Sequence, residues 1–269
     1  THTGINYLDI YTREGMRGGE LPFILGTEGA GTVVSKGANA AGAKIKDNVV
    51  FRGSSTGTYA EFAAVPGWLT YPIPDDVNPE IAVALHLQGM TAHYLANDVF
   101  PLNESHTCLI HAGAGGVGSI AVQLAKWRGA RIIATASDYN HDFLRELGVD
   151  VPVDYRTQNF EDFASDVDVV LDPIGGDTQV RSLQTLKEEG ILVSIVGLTS
   201  EGRNPSRNVR ATSILVRPNS TQLSEIGGLI QNGIINPIVS YRFPLEQAPL
   251  AHEQSQTRRT RGKIVIEVD

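Results

Sequence analysis

The sequence predicts an α/β protein with a parallel, doubly wound sheet in the middle of the chain and β-rich segments at both ends. From about residue 83, short β-branched runs alternate with helical stretches, as the strand–helix units of a parallel sheet do. A GxGxxG pattern at 113–118 lies at the first of these strand–helix junctions. The 269 residues, 41% of them hydrophobic, are enough to bury a sizeable core.

The elements follow from hydrophobic periodicity, taken in chain order. Residues 1–82 carry short apolar runs between turn residues, which indicates strands, and residues 81–98 show the three- and four-residue spacing of an amphipathic helix. The predicted strands of the α/β region are TCLIHA (107–112), RIIATA (131–136), DVDVVLD (166–172), GILVSIVG (190–197) and SILV (213–216). The predicted helices between and after them are SIAVQLAKWRG (119–129), HDFLRELG (141–148), TQVRSLQTLKEEG (178–190) and QLSEIGGLIQNG (222–233).

The two ends of the chain are expected to form one discontinuous domain. After about residue 237 the short-strand pattern returns in YRFPL (241–245) and GKIVIEV (262–268), and these strands would pair with the β-rich beginning. The predicted domains are therefore 1–82 with 238–269, and an inserted α/β domain over 83–237.

Composition excludes several classes of function. A formal net charge of −8 argues against nucleic-acid binding. The chain has neither a run of about eighteen apolar residues nor a secretory signal at its beginning, so we expect a cytoplasmic enzyme with no membrane partner. Cys108, the single cysteine, lies in a predicted strand and is interpreted as a core residue.

The glycine pattern predicts a Rossmann-type dinucleotide site. Gly113 permits a tight turn, Gly115 lets the backbone approach a pyrophosphate, and Gly118 lets the following helix pack against the strand. The backbone of the whole loop would contact the cofactor, which adds the intervening residues Ala114, Gly116 and Val117. A methyltransferase that binds S-adenosylmethionine is the alternative at this level.

The end of the second α/β strand favours NADPH over NADH. NAD-binding domains usually place an acidic residue here, but position 136 is alanine. Ser137 can donate to a 2′-phosphate, and His141 and Arg145 could add positive charge. Asp138 is the counter-evidence, although it also suits an ordinary helix N-terminus. For His141 a solvated surface position is an equal alternative.

Six motifs spread along the chain are similar to those of one family. They are GINYLDIY (4–11), LGTEGAG (25–31), LQGMTA (87–92), DPIGGDT (172–178), AHE (251–253) and RGKIV (261–265). In these the chain resembles the medium-chain dehydrogenase/reductase superfamily, and within it the zinc-independent quinone oxidoreductase, or zeta-crystallin-like, branch. The resemblance implies that the β-rich domain is GroES-like and that the protein is an oxidoreductase rather than a methyltransferase.

Two departures from the wider superfamily matter. Asn6 stands where zinc-dependent members have a cysteine ligand, and one cysteine cannot supply their four-cysteine zinc lobe, so no metal is expected. Family members also have some forty further residues before this point, so the domain is expected to lack its usual N-terminal strands.

The resemblance implies reduction of a quinone or of an α,β-unsaturated carbonyl compound by hydride transfer from NADPH. Asn6 and Tyr11 are the predicted catalytic donors to the developing oxyanion, with Tyr11 or water delivering the proton. Asn6 holding a turn and Tyr11 lying in a strand are the structural alternatives. Thr91 is predicted to contact the nicotinamide, although its hydroxyl could instead bond to the preceding helical turn.

The remaining implied contacts lie at the two ends of the cofactor. Tyr155 and Arg258 are expected with Ser137 and His141 around the 2′-phosphate, with surface charge as the alternative for the basic residues. The segments that would meet the nicotinamide contain Val196, Gly197, Leu215 and Val216. The strand that contains Leu215 and Val216 forms a dimer contact in many relatives, so a homodimer is expected.

Two other functions stay open. One is an enoyl-thioester reductase of the same superfamily, which would need a channel for an acyl carrier or coenzyme A. The other is a non-catalytic, crystallin-like protein that keeps the cofactor pocket, and it would bind cofactor without turning over any quinone or enone.

Overall fold

The computed structural model describes residues 1–16, 21–54, 56–217 and 219–268, which form two compact units. The first unit contains Thr1–Met90, Pro218–Gln231 and Pro237–Asp269, and the second contains Thr91–Arg217 and Asn232–Asn236. The first unit therefore extends beyond the predicted 1–82 and 238–269. One reason is that Gln222 Nε2 donates to the Met90 carbonyl at 2.8 Å, which ties the later helix to the end of the first segment. The division into functional domains stays a prediction.

The described residues form twelve strands and eight α-helices, besides short 3-10 and π segments. The strands are β1 (His2–Gly4), β2 (Glu28–Thr32), β3 (Asn48–Arg52), β4 (Thr70–Pro72), β5 (Thr107–Ile110), β6 (Arg131–Ala136), β7 (Val151–Asp154), β8 (Val167–Asp172), β9 (Leu186–Ser194), β10 (Arg210–Ser213), β11 (Val239–Pro244) and β12 (Lys263–Glu267). The helices are α1 (Tyr7–Arg13), α2 (Pro79–Tyr94), α3 (Gly116–Trp127), α4 (His141–Leu147), α5 (Gly176–Ser182), α6 (Ser200–Arg203), α7 (Ser220–Gln231) and α8 (Ala248–Gln256).

The sheet of the first unit joins the two ends of the chain. Its strand order is β11-β12-β1-β2-β3-β4, and the pairings are antiparallel except between β11 and β12. β1 lies between β12 and β2, with His2 opposite Glu267 on one side and opposite Ala30 on the other. The predicted pairing of the C-terminal strands with the β-rich beginning is confirmed.

The sheet of the second unit is parallel, with the strand order β10-β9-β8-β5-β6-β7. The chain starts this sheet at β5, adds strands on one side, and then crosses to β8 on the other side. This is the doubly wound order in which ligands bind at the carboxyl ends of the strands where the direction of winding reverses. Leu109, Ile133, Val170 and Leu192 are fully buried at its centre. The predicted α/β fold with a Rossmann-type sheet is confirmed.

Two element predictions in this unit are wrong. The helix predicted over 178–190 ends at Ser182, and β9 begins at Leu186. Leu186 is fully buried in the core beneath the sheet and lies opposite Val167 of β8, so burial and strand pairing override the helical propensity of the residues that follow it.

The last strand of this sheet also differs from its prediction. β10 covers 210–213 rather than 213–216 and pairs with residues 191–194 of β9. Leu215 is 66% exposed, so the apolar run SILV does not mark a buried strand.

The beginning of the chain contains a helix that the β-rich pattern did not predict. α1 starts directly after Asn6, whose backbone N–H donates to the Asp9 carboxylate at 2.8 Å. This bond satisfies an amide before the first helical turn. Tyr11 consequently lies on a helix and not on a strand.

Candidate functional site

The glycine loop lies between β5 and α3, at the reversal of winding in the parallel sheet. The first intrahelical hydrogen bond runs from Ser119 N to Gly115 O at 2.9 Å. The amides of Gly116, Val117 and Gly118 precede it and therefore have no intrahelical partner. Amides at the N-terminus of a helix, aligned with its dipole, form a site for a phosphate group.

Close packing explains why this loop needs glycine. A Cβ atom on Gly118 would lie 2.3 Å from the Ala112 carbonyl oxygen, and one on Gly113 would lie 2.9 Å from Ala134 Cβ. The first contact is with backbone, which cannot rotate away. The loop can hold this shape only with glycine at position 118.

His111 anchors the loop from below and is buried. Its Nδ1 lies 3.1 Å from Thr135 Oγ1 and its Nε2 lies 2.8 Å from Ser182 Oγ. Burial lowers the pKa of His111 to about 4, so the ring is neutral at physiological pH. His111 is thus a packed residue at the end of the first parallel strand, held by hydrogen bonds on both ring nitrogens.

A charged cluster lies beside the carboxyl ends of β6 and β7. Arg156 donates to Asp138 Oδ1 at 2.7 Å and to Asp154 Oδ1 at 3.2 Å. Ser137 is buried directly after β6, and Tyr155 is 61% exposed beside Arg156. Sequence reasoning missed Arg156, although its position next to the predicted Tyr155 was an available signal.

His141 and Arg145, the two basic residues predicted near the 2′-phosphate, both lie on α4 but differ in their hydrogen-bond partners. Arg145 is paired with Asp142 at 2.7 Å on an exposed face. The Nε2 atom of His141 is buried and has no hydrogen-bond partner in the described part of the chain. Of the two, His141 is the one whose unpartnered polar atom is buried.

Hydrogen bonds join the turn after β8 to the turn after β9. Asp172 is buried and accepts from the backbone amides of Ile174 and Gly175 at 3.0 and 2.8 Å, and Gln179 Nε2 donates to its other oxygen at 2.6 Å. The same Gln179 nitrogen donates to the Gly197 carbonyl at 2.9 Å. This holds the predicted cofactor segment containing Gly197 at the carboxyl edge of the sheet.

The other residues predicted near the nicotinamide differ in exposure. Val196 is 47% exposed, Val216 is buried, and Thr91 is buried in α2. Their predicted contacts, like those of Leu215, stay predictions.

In the first unit, Asn6 lies in a buried polar network. Its Oδ1 accepts from Lys263 Nζ at 2.9 Å and from Gln88 Nε2 at 2.7 Å, and its Nδ2 donates to Glu28 at 2.9 Å and to the Gly4 carbonyl at 3.3 Å. Both amide hydrogens are thus used inside the protein. A direct bond from Asn6 to a substrate oxygen stays a prediction and would require one of these bonds to break.

Glu28 and Lys263 form a fully buried ion pair at 2.7 Å. Burial alone would raise the pKa of Glu28, but the Lys263 ammonium and the neighbouring His86 lower it to about 2. The second carboxylate oxygen accepts from the Leu87 amide at 2.8 Å. Glu28 is therefore ionised, and the pair fixes the orientation of the Asn6 carboxamide.

Tyr11 and Arg258, two predicted site residues, lie on either side of Tyr7. The rings of Tyr7 and Tyr11 meet edge to face with centroids 5.3 Å apart. Arg258 Nε donates to the Tyr7 hydroxyl at 3.2 Å, and this bond raises the pKa of the guanidinium further. The structure thus brings the predicted oxyanion donor and the predicted phosphate ligand into one aromatic cluster.

A second polar chain runs through the same unit. Asp9 accepts from Thr27 Oγ1 at 2.5 Å and from the Tyr59 hydroxyl at 3.3 Å. The Tyr59 hydroxyl lies 3.0 Å from His252 Nε2, whose ring lies beside Arg13. Burial raises the pKa of Asp9 to about 6. Sequence reasoning assigned none of these residues a role, although three of them lie in the quoted motifs.

Within the described ranges, no group of three or more His, Cys, Asp or Glu side chains is placed to hold a metal. Asn6, where zinc-dependent members of the resembled superfamily have a cysteine, is a neutral amide whose oxygen already accepts from Lys263 and Gln88. Cys108 is buried, and burial raises its pKa to about 12.

None of the helices in the described residues is long and apolar enough to span a bilayer.

Comparison with known proteins agrees with both halves of the fold. A family described as the alcohol dehydrogenase GroES-like domain matches residues 1–75, and one described as zinc-binding dehydrogenase matches residues 147–266. A quinone oxidoreductase of Pseudomonas aeruginosa is 30% identical over 98% of this chain and 88% of its own length. The chain belongs to the quinone oxidoreductase branch of the medium-chain dehydrogenase/reductase superfamily.

Two further relatives describe the range of this branch. A 2-haloacrylate reductase of a Burkholderia species is 30% identical over 99% of this chain and 88% of its own length. The structure of Escherichia coli quinone oxidoreductase in complex with NADPH has a TM-score of 0.91 and 30% identity, covering 98% of this chain and 89% of that one. Membership of this branch confirms the resemblance on which the sequence-based predictions depend.

Proposed function

We propose that this oxidoreductase reduces quinones or α,β-unsaturated carbonyl compounds with NADPH and without zinc. The observation that carries the proposal is the glycine loop, whose unpaired amides at Gly116, Val117 and Gly118 lie at the reversal of winding in the parallel sheet. When bound, NADPH supplies the hydride. The relative from E. coli binds NADPH in its crystal structure, which supports this choice of cofactor.

A positively charged residue near the predicted 2′-phosphate site supports NADPH as the cofactor. Arg156 follows Tyr155 at the end of β7 and donates to Asp138, two positions after residue 136, which carries no acid. Its guanidinium is held by Asp138 and Asp154, so it is positioned before any ligand arrives. A 2′-phosphate would replace the exposed Asp138 as its partner, because a dianionic phosphate is the stronger acceptor. Ser137 and His141 would contribute further donors.

The reacting carbonyl oxygen needs a donor, and Tyr11 is the better of the two predicted ones. Among the described residues, the hydroxyl of Tyr11 makes no hydrogen bond, whereas both amide hydrogens of Asn6 are engaged. We assign Tyr11 to the substrate oxygen and Asn6 to the polar framework beneath it. Stabilisation of the oxyanion by a hydroxyl removes the need for a metal.

The substrate class is open between two chemistries. The P. aeruginosa relative is named for quinones, and the Burkholderia relative for a haloacrylate, whose double bond is conjugated to a carboxyl group. Both reactions add hydride to an electron-poor conjugated system. An enoyl thioester would be reduced by the same chemistry, and a substrate panel separates the three.

A homodimer is part of the proposal. β10 is the outer strand of the parallel sheet, so its outer edge is available for pairing with a second copy across a two-fold axis. Light scattering after size-exclusion chromatography tests this. A mass of one chain would refute it.

The test of function is cofactor consumption over a panel of a quinone, a cyclic enone, 2-haloacrylate and an enoyl thioester. We expect turnover with NADPH, slower turnover with NADH, and no loss after treatment with a zinc chelator. The variant Tyr11→Phe should lose at least about tenfold in kcat, because it removes the donor to the oxyanion. Tyr241→Phe, on the exposed part of β11, is the matched control. Tight NADPH binding without turnover of any compound would favour a non-catalytic, crystallin-like role.

A further inference from the structure

The first unit contains a continuous chain of hydrogen bonds from the half-buried Thr27 to the solvent-exposed Arg13. Thr27 Oγ1 lies 2.5 Å from Asp9 Oδ1, and Asp9 Oδ2 lies 3.3 Å from the Tyr59 hydroxyl. That hydroxyl lies 3.0 Å from His252 Nε2, and His252 Nδ1 lies 3.2 Å from Arg13 Nη1. Every member between the two ends can both give and take a proton, which a merely structural network does not require.

The direction of the chain follows from its last member. An arginine can only donate, so His252 Nδ1 accepts and His252 Nε2 carries the hydrogen. His252 then donates to the Tyr59 oxygen, and the Tyr59 hydroxyl donates to Asp9. The donors from Arg13 to Tyr59 therefore all point toward the Asp9 carboxylate, which also accepts from Thr27 Oγ1 on the other side.

We propose that Asp9, Tyr59 and His252 form a proton relay that delivers the second hydrogen of the reduction through the Thr27 hydroxyl. The inference depends on the proposed function. The substrate takes up one hydride from NADPH, which leaves negative charge on its oxygen. Thr27 gives its proton to that oxygen and takes one from protonated Asp9.

The relay is then refilled from solvent. Asp9 recovers its proton from the Tyr59 hydroxyl, which takes one from His252 Nε2. The side chain of Arg13 is 38% exposed, and water that replaces it at His252 Nδ1 supplies a proton to the ring. One hydride and one proton enter the substrate, and one proton leaves the bulk solvent.

The electrostatic surroundings suit this role. Burial raises the pKa of Asp9 to about 6, and nearby Glu28 raises it further, whereas Thr27, the Asn6 amide and Lys263 act in the opposite direction. A donor with a pKa near the working pH is the most effective general acid.

The other two members remain neutral. Burial, followed by the charge of Asp9, raises the pKa of Tyr59 well above its ordinary value, so Tyr59 passes protons without ionising. Burial and the Arg13 charge lower the pKa of His252. His252 is thus a carrier of protons and not a store of them.

The first experiment measures steady-state reduction of a benzoquinone by NADPH in H₂O and in D₂O. We expect His252→Ala and Tyr59→Phe to lower kcat about ten- to hundredfold, to leave NADPH affinity within about twofold, and to raise the solvent isotope effect. Added imidazole should restore His252→Ala but not Tyr59→Phe. Tyr241→Phe is the matched control and should behave as the wild type.

The pH profile adds a readout that a structural role would not change. Because the protonated form of Asp9 is the donor, kcat/KM should fall as the pH rises through about 6. Asp9→Asn should be slow and should lose this limb of the profile. An unchanged profile in Asp9→Asn would overturn the relay.

The second experiment needs no activity. In protein labelled with ¹³C-aspartate, the Asp9 carboxyl resonance is identified by its absence in Asp9→Asn and is titrated in the wild type. Removal of the Tyr59 hydroxyl should raise the pKa of Asp9, because the ionised form loses a donor. If this titration shows the coupling but no quinone or enone is turned over, the proposed function is wrong.

The relay is overturned if the enzyme is active but Tyr59→Phe and His252→Ala keep the wild-type solvent isotope effect, and added imidazole does not change the rate of His252→Ala. A fall in melting temperature without a kinetic change would then show that the chain only stabilises the fold.

Discussion

The buried Glu28–Lys263 pair should make Lys263→Met one of the most destabilising single substitutions in the first unit. Both side chains are fully buried, and Glu28 Oε1 lies 2.7 Å from Lys263 Nζ. Folding lowers the pKa of Glu28 from 4.5 to about 2, which corresponds to about 3 kcal/mol at about 1.4 kcal/mol per pKa unit. Removal of the lysine leaves a buried charge without compensation, which typically costs about 3–5 kcal/mol.

The pH dependence has a definite sign. In the wild type, the pKa of Glu28 is lowered by folding, so its contribution is present above about pH 4.5 and is lost as the pH falls toward about 2. In Lys263→Met, burial without the cation raises that pKa, so ionised Glu28 opposes folding above about pH 4.5. The cost of the substitution should therefore be largest at neutral pH and should decrease toward about pH 4.

Urea denaturation gives the free energy of unfolding directly. Trp68 belongs to the same compact unit as the pair and Trp127 to the other, so a Trp127→Phe background reports on the first unit. The double variant Lys263→Met with Glu28→Gln should recover most of the loss, because no buried charge remains. Arg145→Met, which removes the cation of the exposed pair with Asp142, should cost less than about 1 kcal/mol. A cost below about 1 kcal/mol for Lys263→Met, or one that is equal at about pH 4 and pH 7, would refute this reasoning.

Three further predictions concern the second unit. Gly118→Ala should weaken NADPH binding at least about tenfold in titration, because its Cβ meets the Ala112 carbonyl at 2.3 Å, whereas Gly227→Ala, with nothing within 4 Å, should leave affinity unchanged. Cys108 should fail to react with a thiol-exchange disulfide reagent at neutral pH until the protein is unfolded, because burial raises its pKa to about 12; rapid labelling of the native protein would contradict this. Arg156→Gln should weaken NADPH about tenfold and NADH much less in the same titration, since only NADPH carries the 2′-phosphate; equal losses would exclude that contact.

The cofactor loop could be predicted because its determinants are local. Gly113, Gly115 and Gly118 stand at fixed offsets between a β-branched run and an apolar helix, and the chemistry depends on the backbone itself. The NADPH preference was inferred from residues at the ends of β6 and β7, and it did not include Arg156, which we propose as a further phosphate ligand. Its relation to Asp138, eighteen residues earlier, exists only when β6 and β7 lie side by side.

The wrongly predicted helix over 178–190 and the missed helix α1 also depend on contacts that hydrophobic periodicity does not show. The residues around Lys187 have good helical propensity, yet Leu186 is buried in the core and pairs with β8. Propensity is a sum over neighbours in sequence, whereas burial depends on strands that are distant in the chain. α1 was missed because its start depends on a bond between the Asn6 amide and the Asp9 side chain rather than on hydrophobic periodicity.

The sequence by itself determined the fold class, the return of the last strands to the first sheet, the cofactor loop and the family, since each depends on local periodicity or on motifs with fixed spacing. Only the tertiary structure showed that Asn6, Glu28 and Lys263 form one buried network and that Asp9 reaches Arg13 through Tyr59 and His252. Lys263 is 257 positions from Asn6. A pairing over that distance leaves no periodic signal, because the paired atoms meet only after β12 and β1 have joined the same sheet.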